Sequence, residues 1–197
     1  MAKSEIENIL DPVNQQVIQL SYRWKIFLQL FDSGKESIEL LNKSGANVFE
    51  LFQYLVIDDA MISLSKLTDP NKSRGNENAS ISNLINKSKD SLSEKTFGEV
   101  EALEKELKVH VRNIRVLRNK ILAHSDLEHK KSATTLPSVS YDNIENAIDI
   151  LQAIVSKIAS EACGWTTHYD SIIPYGCGGD TLLEILRLGN ESKSRKG

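Results

Sequence analysis

The residues of this chain best suited to chemistry are Arg118 and His124, within the segment Arg118–Asp126. The guanidinium of an arginine binds a phosphate through a planar fork of donors. The imidazole of a histidine gives or takes a proton near neutral pH. Asn119 follows the arginine and adds an amide that can orient the histidine or bind a phosphate oxygen. This combination of side chains predicts phosphodiester chemistry that needs no metal ion.

The charge distribution supports a role for this segment in binding phosphates. The net charge of the whole chain is −3, which by itself argues against a nucleic-acid-binding protein. Residues 105–131, however, carry a net charge of +5, so the rest of the chain carries −8. We therefore expect the basic residues around the pair to contact the phosphates of a nucleic acid, namely Arg112, Arg115 and Lys120. An ordinary solvated helix face remains the alternative.

Arg118 interrupts an apolar stripe on the helix that is predicted to carry it. At about 100° per residue, the stripe consists of Leu103, Leu107, Val111, Ile114 and Ile121. A guanidinium there must be paired or line a cavity, because burying it alone costs several kcal/mol. His124 lies about 120° around the helix from Arg118 and about 9 Å further along its axis. Three arrangements would join them: an unwound helix near Ala123, a long reach of the arginine, or two chains facing each other in a dimer.

A second polar residue interrupts the stripe of the preceding long helix. Asp59 falls in the stripe formed by Val48, Phe52, Leu55 and Val56. We predict that Asp59 is an inward-facing structural partner of Arg118 or of another buried donor. No second carboxylate is spaced to share a cation with it, and the chain has no zinc spacing or phosphate-binding glycine loop. The sequence therefore predicts neither a metal site nor a cofactor.

Nearly the whole chain has the apolar spacing of helices, and no strand pattern of useful length occurs. The predicted helices are 13–31 after Pro12, 35–42, 46–68, 80–89, 96–123, 141–163 and 181–188. They predict an all-α bundle of four to five main helices with short accessory helices. The length of 197 residues suits a single domain with a core of about 12–188. The basic residues 189–197 are predicted to form a disordered tail.

The composition predicts a soluble cytoplasmic protein. Hydrophobic residues make up 40% of the chain and charged residues 26%, as in ordinary globular domains. Two cysteines in a chain of this length fit a reducing compartment. The segment Met1–Asp11 has no apolar signal core, and no apolar run of about 18 residues occurs, so we expect no contact with a membrane.

These residues resemble the pattern of the HEPN superfamily, in which an arginine is followed by a polar residue and then a histidine late in a long helix. Within that superfamily, Arg118–Asp126 is most similar to the AbiU-type abortive-infection branch. The segment Asp58–Pro70, ending Ser65-Lys66-Leu67-Thr68-Asp69-Pro70, resembles the same branch, and so does Gly179-Asp180 followed by Leu182-Leu183. The resemblance covers roughly residues 12–188.

The resemblance implies a HEPN-like bundle that forms a homodimer with its two motifs facing each other. It also implies a metal-independent endoribonuclease of a toxin–antitoxin or antiphage system, with RNA as substrate and an antitoxin protein as a possible partner. Arg118 and His124 would be the catalytic pair, supported by Asn119. One subgroup has a tyrosine two positions after the histidine, where a nucleotidyltransferase antitoxin modifies it. Here that position is Asp126, which speaks against this form of regulation.

A ribonuclease of this kind would use the ribose 2′-hydroxyl as nucleophile and leave a 2′,3′-cyclic phosphate and a 5′-hydroxyl. Two other interpretations stay open. The first is a non-catalytic HEPN module that binds RNA, a nucleotide or a protein partner through the same cleft. The overall acidity of the chain and the apolar setting of Arg118 favour it. The second is a purely structural bundle in which Arg118 and Asp59 form a buried pair.

Overall fold

The computed structural model describes residues 5–118 and 139–195, and six α-helices make up most of these residues. Within these ranges the strands are limited to β1 (Lys72–Ser73) and β2 (Asn76–Glu77), which pair antiparallel. The predicted all-α architecture is therefore confirmed. No helix of the described ranges is long and apolar enough to cross a membrane.

The first two helices are longer than the sequence predicts. Helix α1 spans Glu5–Phe31 and contains Pro12, so the prediction that it starts after this proline is wrong. Leu10 and Val13 on either side are fully buried, and their packing outweighs the hydrogen bond that a proline cannot donate. Helix α2 spans Lys35–Leu67 and joins two predicted helices through a bend at Gly45, whose backbone angles are not helical (φ 158°, ψ 63°).

Helices α3 (Ile81–Ser88), α4 (Glu94–Leu117) and α5 (Tyr141–Ile158) begin close to their predicted starts. Each is preceded by a serine whose hydroxyl accepts a hydrogen bond from the backbone N–H three residues later, and these serines are Ser80, Ser93 and Ser140. Serine is among the preferred residues at this position, because its side chain satisfies a backbone donor that the helix leaves unpaired. This local chemistry is visible in the sequence, which is why the starts agree.

The last helix, α6, spans Gly179–Ser194. The prediction of a disordered tail from residue 189 is therefore wrong over residues 189–194. Asn190 is partly buried, and its side-chain amide donates to Ser44 Oγ at 2.9 Å and to the carbonyl of Leu186 at 3.0 Å. These hydrogen bonds tie the end of α6 to α2, a tertiary contact that composition does not reveal.

The chain divides into two compact units, of which the first comprises Met1–Leu20 and Ala60–Thr167. In this unit α4 and α5 pack antiparallel. Lys157 near the end of α5 bonds Glu99 near the start of α4, with Nζ and Oε2 2.5 Å apart. The apolar core of the unit is completed by the short helix α3, which packs against both.

The second unit comprises Ser21–Asp59 and His168–Gly197. Its core is a cluster of Leu30, Leu41 and Leu183, one side chain from each of α1, α2 and α6. Trp24 stacks on Phe27 beside this cluster, with ring centroids 4.7 Å apart. The single-domain organisation of the whole chain stays a prediction.

Candidate functional site

Helix α4, which carries the candidate site, has the buried face that its sequence pattern predicts. Leu107, Val111 and Ile114 are at most 1% exposed, so this part of the apolar stripe is confirmed. The start of the helix is held by Glu161, whose carboxylate accepts a hydrogen bond of 2.5 Å from the backbone N–H of Ser93. Hydrogen bonds from the hydroxyl of Thr96 and from this N–H lower the pKa of Glu161. The first turn of α4 is thereby anchored to the π-helical turn Ala159–Cys163, which directly follows α5.

Arg118 lies at the C-terminal end of α4, where its backbone N–H still donates to the carbonyl of Ile114. Its side chain is half-buried, one helical turn beyond the fully buried Ile114. The guanidinium therefore continues the buried stripe to the point where the stripe becomes accessible to solvent. A charge in this partly shielded position interacts more strongly with a bound anion than one surrounded by water does.

Arg115 is held by a cluster of hydrogen bonds at the end of α2. Its Nη1 donates to the carbonyl of Ser65 and to Thr68 Oγ1, both at 3.0 Å. Its Nη2 lies 3.0 Å from Asp69 Oδ1. Together these contacts clamp α4 to α2, and we call this cluster of four residues the Arg115 clamp.

The geometry of the Arg115 clamp follows from the way α2 ends. The last carbonyls of a helix have no partner within the helix, and the negative end of its dipole attracts a cation. The hydroxyl of Thr68 donates to the carbonyl of Leu64 at 2.7 Å, which leaves its oxygen free to accept from Arg115. Arg115 thus has a structural role, while its predicted contact with RNA stays a prediction.

The solvent face of α4 offers basic side chains that the clamp does not use. Arg112 is exposed, and so are Lys105 and Lys108. Lys108 pairs with Glu104 one turn earlier, at 2.9 Å, but its side chain remains 58% exposed. Of the described basic residues predicted to bind RNA, Arg112 is therefore exposed on α4, whereas Arg115 is partly buried in the clamp.

Asp59 has a partner in the second unit. Arg23 Nε lies 3.0 Å from Asp59 Oδ2, and both atoms are shielded from solvent although each side chain is 39% exposed. The sequence left open whether Asp59 pairs with Arg118 or with another donor. The structure supplies Arg23 on α1 as that donor.

The remaining members of the predicted site, Asn119, Lys120 and His124, lie outside the described residues. Their geometry relative to Arg118 stays a prediction. Within residues 5–118 and 139–195, no group of three or more His, Cys, Asp or Glu side chains is placed to hold a metal ion.

A comparison with known protein families gives a match over most of the chain. The family described as AbiU2, of the HEPN type, matches residues 3–175. The chain belongs to the AbiU2 family. Neither a curated protein nor a solved structure shows a significant match to it. The predicted relationship to the HEPN superfamily and to its abortive-infection branch is thereby confirmed.

The AbiU2 match includes both halves of the Arg115 clamp. Thr68 and Asp69 belong to the segment Asp58–Pro70 on which the resemblance partly rested, and the structure gives that segment a physical function. The segment contains the end of α2, and its Thr68 and Asp69 side chains accept hydrogen bonds from Arg115. Sequence reasoning missed this pairing, because nothing in the spacing of residues 68 and 115 indicates that the two helices meet there.

Gly179 and Asp180 lie beyond the residues that the AbiU2 family matches, and the structure explains the glycine by close packing. The backbone N–H of Gly179 donates to Gln29 Oε1 at 2.8 Å. A Cβ atom at position 179 would lie 2.8 Å from Leu30 Cγ and 3.0 Å from the carbonyl oxygen of Ile26. Helix α6 can approach α1 this closely only with a glycine at its first position.

Proposed function

We propose that this AbiU2-family protein is a metal-independent endoribonuclease of an abortive-infection or toxin–antitoxin system. The observation that carries the proposal is the position of Arg118. A guanidinium extends a fully buried apolar stripe at the end of a helix whose C-terminal half is basic, in a chain of the HEPN type.

The proposed reaction needs two proton transfers and the stabilisation of a developing charge. The ribose 2′-hydroxyl must lose its proton as its oxygen attacks the phosphorus. The charge that develops on the phosphoryl oxygens must be stabilised, and the 5′-oxygen must gain a proton as its bond to phosphorus breaks. Arg118 would stabilise the phosphoryl charge. His124 would transfer protons, since an unperturbed imidazole has a pKa near ~6.5.

A homodimer would supply what one chain lacks. One imidazole cannot remove a proton from the nucleophile and donate one to the leaving group in the same step. Two copies of the motif facing each other would provide two imidazoles and two guanidinium groups, with Asn119 orienting the histidine or binding a phosphate oxygen. An antitoxin protein would then be a partner that covers this cleft.

Cleavage of RNA in EDTA tests the proposal. We expect the full-length protein to cut RNA without added metal, to leave 2′,3′-cyclic phosphate ends and to spare DNA of the same sequence, which lacks the nucleophile. His124→Ala and Arg118→Ala should each lower the rate by about 10²-fold or more, because general acid–base catalysis typically contributes 10²–10⁴-fold. His129→Ala is the matched control, since it removes an imidazole five positions from the motif histidine. A double variant lacking Arg118 and His124 that cuts as fast as wild type would refute the assignment.

The second candidate function is a non-catalytic module that binds RNA, a nucleotide or a protein. The net charge of −3 favours it, because a protein with this charge binds RNA weakly outside its basic segment. In this case RNA would stay intact both in EDTA and with added Mg²⁺ or Mn²⁺. Any RNA binding would weaken in Arg118→Ala.

A further inference from the structure

The largest unexplained feature of the structure is an exposed apolar surface on the second unit. Eleven large hydrophobic side chains of the described residues are exposed, and eight of them lie on α2 and α6. They are Val48, Leu51, Phe52, Tyr54 and Leu55 on α2, and Leu182, Ile185 and Leu188 on α6. We call these eight residues the α2/α6 face.

Part of the α2/α6 face lies around one cavity. The inner sides of its two helices meet in the core cluster, where Leu41 contacts Leu183 and their apolar neighbours. A cavity of about 360 Å³ opens beside this cluster, and its lining includes Val48 and Phe52 from α2 and Leu182 from α6. Three of the eight exposed residues, Val48, Phe52 and Leu182, therefore border one shared depression.

The spacing on α2 is typical of a helix that packs against another helix. Val48, Leu51 and Leu55 lie at positions i, i+3 and i+7, which fall on one side of a helix. These three side chains are between 57% and 69% exposed. Val56, about 100° around the helix from Leu55, is 7% exposed. Of the stripe predicted from Val48, Phe52, Leu55 and Val56, the protomer therefore buries only Val56 and leaves the other three side chains exposed.

The size of the α2/α6 face matches what a stable dimer buries. With roughly 100 Å² exposed per side chain, the eight residues present about 800 Å², which is the area that each partner contributes to a standard interface. Monomeric proteins seldom expose an apolar patch larger than about 300–600 Å². A face of this size is expected to be covered.

The charges beside the face favour a second copy of the chain as the occupant. The α2/α6 face contains no charged residue. A groove next to it is lined by three acidic and three basic side chains, which are Glu36, Glu39, Lys43, Arg187, Glu191 and Arg195. A rim of balanced charge does not attract RNA, but it complements itself when the same surface meets under twofold symmetry.

We propose that two copies of this chain associate through their α2/α6 faces. The inference concerns how the chain associates, and it does not require that the protein cleaves RNA. Leu51, Tyr54 and Leu55 form the centre of the interface, and the charged groove forms its rim.

The oligomeric state of the full chain in solution tests this proposal. Sedimentation equilibrium should give twice the chain mass of 22.0 kDa at micromolar concentration. Leu51→Glu and Leu55→Glu should each raise the dimer dissociation constant by at least 100-fold, because each places a carboxylate in an apolar contact. Both side chains are more than half exposed in the protomer, so far-ultraviolet circular dichroism should stay unchanged. Ile185→Glu on α6 provides the same test if an α2 variant fails to fold.

Val109→Glu is the matched control. Val109 is 73% exposed on α4, so this change adds the same charge to the motif helix and should leave the dimer intact. A monomeric wild-type chain would overturn the proposal, and so would dimeric Leu51→Glu and Leu55→Glu or a monomer produced by Val109→Glu alone. A dimer that depends on Leu51 but does not cut RNA would refute the ribonuclease while leaving the interface in place.

Discussion

The Arg115 clamp gives the sharpest prediction about stability. Asp69→Asn keeps an oxygen near Arg115 but removes the negative charge. A hydrogen bond to a charged group contributes about 1.5–3 kcal/mol when shielded, and an exposed ion pair about 0.2–1 kcal/mol. The side chains of Arg115 and Asp69 are 34% and 28% exposed, which places the pair between these limits. We expect Asp69→Asn to lower the free energy of unfolding by about 1–2 kcal/mol.

Thermal and chemical unfolding would measure this loss. For a chain of this size, about 1–2 kcal/mol corresponds to a decrease in Tm of roughly 2–8 °C. Lys108→Gln on the same helix is the control. It breaks a pair one turn apart whose lysine is 58% exposed, with a contribution of about 0.3–0.5 kcal/mol, and should change Tm by no more than about 2 °C. A double-mutant cycle of Asp69→Asn with Arg115→Gln should give a coupling energy of about 1 kcal/mol or more.

The same variant separates a structural role of Arg115 from a role in RNA binding. If the clamp holds the last turn of α4, Asp69→Asn should speed amide exchange at residues 114–118 and lower the kcat for RNA cleavage, with little change in KM. If Arg115 instead binds RNA, removing the acidic partner should leave kcat unchanged and Arg115→Lys should retain most of the binding. If Asp69→Asn kept the Tm, the amide exchange rates and the kcat of the wild-type protein, the structural role of the Arg115 clamp would be refuted.

Two further predictions follow from other contacts. Gly179→Ala should destabilise the protein by about 1–3 kcal/mol in a urea titration, since the new methyl group would lie 3.0 Å from the fixed carbonyl of Ile26. Gly189→Ala in the same helix is the control. Its methyl group would meet no atom within 4 Å, so this variant should be neutral or stabilising. Lys157 lowers the pKa of Glu99, so its ion pair stabilises the fold above the unfolded carboxyl pKa of about 4.3 and is lost as the pH falls through the lower folded value. Unfolding titrations between pH 6 and about pH 3 should therefore show a smaller acid-induced loss of stability in Glu99→Gln than in wild type, and equal losses would contradict this assignment.

The parts of the fold that local chemistry specifies were predictable. The serine caps before α3, α4 and α5 mark helix starts because each serves a backbone donor three residues later. Gly34, with a φ of 101°, lies between α1 and α2, where the predicted helices 13–31 and 35–42 leave a break, and the left-handed region favours glycine. The errors at Pro12 and at residues 189–194 arose where burial and a hydrogen bond to Ser44 overrode these local preferences.

Of the predicted catalytic residues, the structure describes Arg118, and its place on helix α4 was predictable. The helical period identified the stripe of Leu107, Val111 and Ile114, and hence the unusual position of Arg118, since residues on one helix keep a fixed angular relation. The partner of Asp59 was not predictable, because Arg23 belongs to another helix. The structural contacts of Arg115 with the end of α2 were not predictable for the same reason.

The sequence by itself determined the helical architecture, the family and the concentration of positive charge around Arg118, because periodicity, motif residues and net charge are properties of neighbouring positions. The tertiary structure decided which charged groups are already engaged and which apolar side chains remain uncovered. Thr68 and Asp69 meet Arg115 only because the end of α2 packs beside α4. The α2/α6 face is likewise recognisable only after the protomer has buried one side of each helix, since hydrophobicity in a sequence does not say which partner covers it.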